Sequence, residues 1–138
     1  MAFTFINPEL LGSARGYSNG VLTDAEGKLL FIAGQIAWNE KQEIVSPDFV
    51  AQFERALANV IAVVTEAGGQ ANQIARLAIY VTDKQEYREH TRAVGETYRA
   101  LMGRHYPAMV LVEVRSLLDD QAKVEIEGVA VLSGPGQT

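Results

Sequence analysis

The sequence predicts an α+β fold, a two-layer sandwich with two helices on one face of a mixed sheet. Three observations predict it. Several short runs rich in Val, Ile, Leu and Phe lie between Gly, Asp, Asn and Pro, the pattern of strands between turns. One long stretch, SPDFVAQFERALANVIAVVTEAGG, repeats its apolar residues at helical spacing. The elements then follow in the order β-β-α-β-α-β-β.

Each element has its own justification. GVLTDAEGKLLFIAGQIAW reads as two strands joined by a turn at Asp24, Glu26 and Gly27, the second strand running from Leu29 to Ile36. Alternation places Leu30, Ile32 and Gly34 on one face and Phe31, Ala33 and Gln35 on the other. Gly34 inside a strand signals a bulge or a close backbone approach. In the first helix Ser46 suits the N-cap, Pro47 the first helical position and Asp48 the positive end of the dipole. Phe49, Phe53, Ala56, Leu57, Val60, Ile61 and Val64 form its apolar stripe, and Gly68-Gly69 ends it. A strand is predicted over 74–81. A largely helical segment follows over 83–103, with Val94, Tyr98 and Leu101 as its stripe. Two strands, 109–115 and 122–132, close the chain. Residues 1–132 are expected to form one domain and 133–138, SGPGQT, a flexible tail.

The last strands carry apolar residues on both faces. Val110, Val112 and Val114 lie on one side, Met109 and Leu111 on the other. Two helices cover one face only. A chain of 138 residues has no third layer, so the second face calls for another copy of the chain.

Composition narrows the chemistry. The chain is 48% hydrophobic and 21% charged, an ordinary globular balance. Net charge is -5 and the basic residues form no run, which argues against nucleic acid as a partner. No cysteine is present, so disulfides, thiolate metal sites and a Cys nucleophile are excluded. No apolar run approaches the ~20 residues of a membrane span, and the start of the chain has no signal-peptide pattern. No membrane partner is expected, and a cytoplasmic location is.

His90 and His105 sit in no metal-ligand spacing and read as a surface-helix and a loop histidine. GxxxxGK[ST], GxGxxG and GxSxG are absent. Glu125 and Glu127 share one strand face, either as a solvated edge or with one of them as a general acid/base in a cleft. Gly16-Tyr17-Ser18-Asn19-Gly20 is a turn, or a loop presenting a phenol to a site.

Taken together, RGYSNG, LLFIAGQIAWN, FERALANVIAVVTEAGG, IARLAIYVTD, YPAMVLVEV and KVEIEGVAVL resemble the Rid/YjgF family, the reactive intermediate deaminases, over residues 14–132. The resemblance implies a chorismate-mutase-like fold and a homotrimer with clefts between subunits. It implies no metal and no organic cofactor. The best-known members hydrolyse enamines and imines such as 2-aminoacrylate to a 2-keto acid and ammonia. Carried over by position, the family's loop tyrosine is Tyr17 and its water-handling glutamate is Glu125. The serine of the family's SGQ strand falls on Ala33, beside Gly34. An asparagine of the second helix falls on Gly95. The arginine of the PAR motif, which clamps the substrate carboxylate, falls on Met109, followed on the same face by Leu111.

Methionine has no donor to offer a carboxylate. The resemblance therefore implies hydrolysis of a reactive enamine or imine other than 2-aminoacrylate, with Glu125 and Tyr17 catalytic. Arg15, Ala33, Gly34, Gly95, Met109 and Leu111 would bind the substrate, Arg15 being the preferred replacement cation. Arg115 shares the Met109 face but lies about 20 Å along the strand. The alternative is a trimer that binds a small ligand without turnover.

Overall fold

Four strands make the main sheet, in the order β3-β6-β4-β5. They are β3 (Lys28–Gln35), β4 (Ile74–Val81), β5 (Ala108–Glu113) and β6 (Val124–Leu132). The computed structural model describes residues 3–24 and 26–133. The predicted tail, from residue 134 on, lies outside the described residues. β6 runs antiparallel to both neighbours, whereas β4 and β5 are parallel, so the sheet is mixed. Parallel neighbours need a long crossover, and the two helices after β4 supply it.

The described residues contain three α-helices: α1 (Phe49–Glu66), α2 (Lys84–Glu89) and α3 (Thr91–Met102). α1 buries Phe49, Phe53, Ala56, Leu57, Val60 and Val64 of the stripe its spacing predicts, and Ile61 is partly buried beside them. Each large one contributes about 1.5–3 kcal/mol by leaving water. α3 buries Val94, Tyr98 and Met102; Leu101 is only partly buried, because successive four-residue steps carry the stripe onto Met102 instead. These side chains meet Ile32, Leu77, Ile79, Val81, Val124 and Ile126 from one face of the sheet. No helix among the described residues is long and apolar enough to cross a membrane.

Several expectations are corrected. The N-cap of α1 is Asp48, not Ser46; its carboxylate accepts from the Ala51 amide at 2.9 Å, and Ser46 instead accepts from the Asp48 amide. The segment 83–103 divides at His90 into two helices, because Asp83 caps a short first turn that His90 ends. The strand before the 24–27 turn, β2 (Gly20–Leu22), does not join the main sheet. It pairs with β1 (Thr4–Ile6), a strand that three exposed residues gave no pattern to reveal. β3 carries the bulge that Gly34 suggested: its register on β6 slips between Ile32 and Gln35. The slip turns Gly34 away from Ile32 and toward Glu125, against the simple alternation.

Among the described residues no α-helix lies on the second face of the sheet. Leu29 is 64% exposed there and Phe31 74%, with Val110 and Val112 at 41% and 40%. Arg76, Tyr80, Glu125 and Glu127 share this face by register.

One buried polar residue ties α1 to the β5–β6 connection. Gln52 is fully buried; its Nε2 donates to the Ser46 and Gln121 carbonyls and its Oε1 accepts from the Lys123 amide at 2.8 Å. Gln52→Ala orphans three backbone groups at once. Urea unfolding is expected to show a loss of about 3 kcal/mol with an unchanged m-value.

Candidate functional site

The loop before β2 is held against β5 by one residue. The Ser18 amide donates to the Pro107 carbonyl at 3.1 Å, and its hydroxyl donates to the Tyr106 carbonyl at 2.6 Å. Ser18 thereby pairs with Ala108 as a one-residue parallel bridge beside β5. Just before it, Gly16 has φ 75°, a conformation that suits glycine. The Asn19 amide closes the far side by donating to Asn7 Oδ1 at 2.8 Å. The Gly-flanked turn is thus a fixed shelf, and it presents Arg15 and Tyr17 above the start of β5.

Under the shelf lies a cavity of about 600 Å³ between the loop, α3 and β5. Arg15, Tyr17, Gly95, Met109 and Leu111 all line it. Met109 and Leu111 project to the helix side of the sheet, opposite Leu77 and Ile79 on β4. Tyr98 and Tyr106 form a stacked wall, centroids 5.4 Å apart and 9° from parallel. The Tyr98 hydroxyl donates to the His105 carbonyl at 2.6 Å. Burial, with Tyr106 beside it, raises the Tyr98 pKa well above that of a free phenol. Tyr98 is a wall and a hydrogen-bond donor, not a proton carrier.

Glu125, Gly34 and Ala33 are elsewhere. Glu125 pairs with Tyr80 across β4, on the sheet face opposite Met109. Its carboxylate sits where a Cβ on Gly34 would be, so only a glycine leaves that room undisturbed. Glu127 accepts a hydrogen bond from the Tyr80 hydroxyl. That bond first, then desolvation and the nearby carboxylates, raises the Tyr80 pKa. Among the described residues, Glu125 accepts no hydrogen bond. Of the two carboxylates, Glu127 is engaged and Glu125 is available.

The eight expected site residues therefore fall into two groups, five in the cavity and three on the open face, and one chain does not join them. The sheet itself stands between. Other expectations change too. His105 lies in the loop between α3 and β5, as expected, but it is buried there; its Nε2 donates to the Ile74 carbonyl at 2.6 Å. Arg115 lies past the end of β5 and lines a different cavity with Asp119, Asp120 and Lys123. Sequence reading missed Tyr98, Arg99 and Tyr106 as cavity residues. Tyr98 reads as core from its stripe, and neither Arg99 nor Tyr106 was singled out. The only signal was that Arg99 stands four residues after Gly95, one turn along the same face. Among the described residues no three His, Asp or Glu side chains converge on a metal position.

Ser18→Ala removes one of the two ties that seat the shelf. The amides of 16–19 are expected to exchange faster by hydrogen–deuterium exchange, with about 1 kcal/mol lost from global stability. Unchanged exchange in that loop would show that Ser18 does not hold it.

Comparison with known proteins matches this arrangement to a family. The family described as endoribonuclease L-PSP matches residues 9–132. The 2-iminobutanoate/2-iminopropanoate deaminase of Escherichia coli K12 is 35% identical over 108 residues, 76% of this chain and 80% of that protein. A conserved Rid-family protein of unknown function, YyfB from Yersinia pestis, superposes with a TM-score of 0.84 at 31% identity, covering 96% of this chain and all of that one. Escherichia coli TdcF, solved with bound serine, gives 0.66 at 30% identity over 88% of this chain and 92% of its own. A mixed sheet of this topology, its two main helices and a match across nearly the whole chain have one reading: the protein belongs to the YjgF/Rid family, whose named relatives include imine deaminases.

Proposed function

We propose that this protein hydrolyses a reactive enamine or imine without a cofactor, in clefts between the subunits of a homotrimer. The observation that carries the reading is the division of the site. Glu125 and Gly34 lie on the uncovered sheet face, and Tyr17 and Met109 lie in the helix-side cavity. A second copy docked on the open face would bring its own cavity edge to Glu125. The exposed Leu29, Phe31, Val110 and Val112 give that docking its apolar area.

The chemistry needs one proton acceptor and one electrophilic carbon. Glu125 takes a proton from water as the oxygen bonds to the carbon of the protonated C=N, which gives a neutral carbinolamine. Glu125 returns that proton to the nitrogen and takes up the hydroxyl proton as the C–N bond breaks. Ammonia and a carbonyl are left, and the ammonia carries the proton off Glu125 as ammonium. Tyr17 stands on the opposite wall to orient the substrate by its hydroxyl. The relative named as a 2-iminobutanoate/2-iminopropanoate deaminase supports this reaction class, and the serine in TdcF supports a ligand of amino-acid size. An RNA substrate, suggested by the family's description, gains no electrostatic support from a chain of net charge -5.

2-Aminoacrylate itself suits this cleft poorly. At Met109, which aligns with the carboxylate-binding arginine of the resemblance, its carboxylate would meet a thioether. An unpaired buried charge costs several kcal/mol. The apolar Met109 and Leu111 also suit a trimer that only binds a small ligand, and turnover separates the two readings.

Two measurements follow. With 2-aminoacrylate generated in situ by a dehydratase, wild type is expected to release keto acid no faster than buffer. Met109→Arg is expected to gain activity, and Met109→Arg with Glu125→Ala to lose it again. A fully active wild type would refute the reading of Met109. On the best substrate from a panel of oxidase-generated imines, Glu125→Gln and Tyr17→Phe are each expected to be impaired. Trimers reassembled from an equal mixture of the two variants should recover about a quarter of wild-type activity, since random assembly gives that share of clefts with both native residues. Recovery of nothing would place both residues in one chain's site.

A further inference from the structure

We infer that Arg99, laid across Gly95 on α3, is the anion-binding residue of this cavity, and that the ligand is an oxyanion, a carboxylate first, carried on an apolar or aromatic body. The inference rests on reading the cavity as the ligand-binding half of the cleft.

Four observations lead there. Both Arg99 and Arg15 line the cavity, together with the stacked Tyr98 and Tyr106 and with Met109. A Cβ on Gly95 would lie 3.3 Å from Arg99 Nη1 and 4.0 Å from its Cζ, so the guanidinium rests over the bare backbone of the preceding turn. The ion pairs among the described residues are Arg92–Glu96 and Lys123–Glu86. Arg99 and Arg15 enter neither, and no carboxylate in the cavity lining neutralises them. Finally, Arg99 is in the last turn of α3, where a cation complements the C-terminal carbonyls. Its guanidinium points the other way, a turn back toward Gly95 and the cavity. The helix dipole therefore does not account for its position.

The residue types fit one another. Gly95 has no side chain, and Arg99 uses the space. Met109 offers no cation, and Arg99 brings one to the same cavity from the helix. A planar fork of donors suits a carboxylate in two-point contact. Arg15, on the loop shelf, adds a second positive charge from the other wall. Between them the surface is tyrosine rings, Met109 and Leu111, which suits a hydrocarbon or aromatic body. The charge and the apolar body are thus read by different elements, and a small 2-imino acid, with its charge beside the reacting carbon, does not span them.

Binding without turnover tests this. The probe is 3-phenylpropanoate, compared with its neutral amide, 3-phenylpropanamide, by calorimetry on the full chain and by amide shifts at Gly95 and Arg99. The carboxylate is expected to bind at least about tenfold tighter than the amide. Arg99→Gln should abolish that preference, and Arg99→Lys should keep part of it. Gly95→Asn, which fills the space under the guanidinium, should weaken it. Arg99 is exposed, so its variants are expected to melt as wild type does. Equal binding of acid and amide, no binding of either, or a preference that survives Arg99→Gln and falls only with Arg15→Gln would each overturn the assignment. Failure to find turnover would bear on the proposed hydrolysis alone, because this experiment reads no reaction.

Discussion

Side chains leave a strand alternately to its two faces, and in this protein only one face of the sheet has helices on it. Everything else is arranged around that constraint. α1 and α3 take Leu77, Ile79, Val81, Val124 and Ile126 into the core. The residues that alternate with them, Tyr80, Glu125 and Glu127, are left on the other side with Val110 and Val112 of β5. A one-residue slip would exchange the two sets. The register that buries the core therefore also decides that Glu125 and Met109 cannot meet within one chain.

Local devices refine that arrangement. The bulge in β3 turns Gly34 under the Glu125 carboxylate. The hydrogen bond from Tyr80 engages Glu127 and leaves Glu125 available. At the sheet edge Ser18 bridges to Ala108 beside β5, so the loop behaves as part of that edge.

The cavity's electrostatics come from what is missing as much as from what is present. Met109 and Gly95 supply no polar atoms of their own, and the tyrosine wall has its buried hydroxyl committed to the His105 carbonyl. The guanidinium of Arg99 and that of Arg15 are left as the charges at the rim. A carboxylate entering such a site would be held from the helix and the loop and not from the strand. On the proposed reading, the same fold could keep Glu125 on the open face and shift where a ligand's charge lies.

Much of this was legible in the residues in order. The period of 3.6 in 49–64 and the period of 2 in 124–132 determined α1 and β6, because burial on one side imposes those rhythms directly. The glycine in β3 announced its bulge, and the six motifs announced the family. β1 was not legible, since three exposed residues carry no periodic signal. The N-cap slid from Ser46 to Asp48, because either side chain can accept a backbone hydrogen bond and only the path of the chain selects one. Above all, sequence determined which residue types are available to the site, and tertiary structure decided their company. Arg99 became a cavity residue only because helix geometry lays it over Gly95 and packing sets α3 beside β5. Glu125 left the cavity because its side chain follows the sheet's parity. Local preference acts along the chain, whereas these pairings depend on which faces the core has buried.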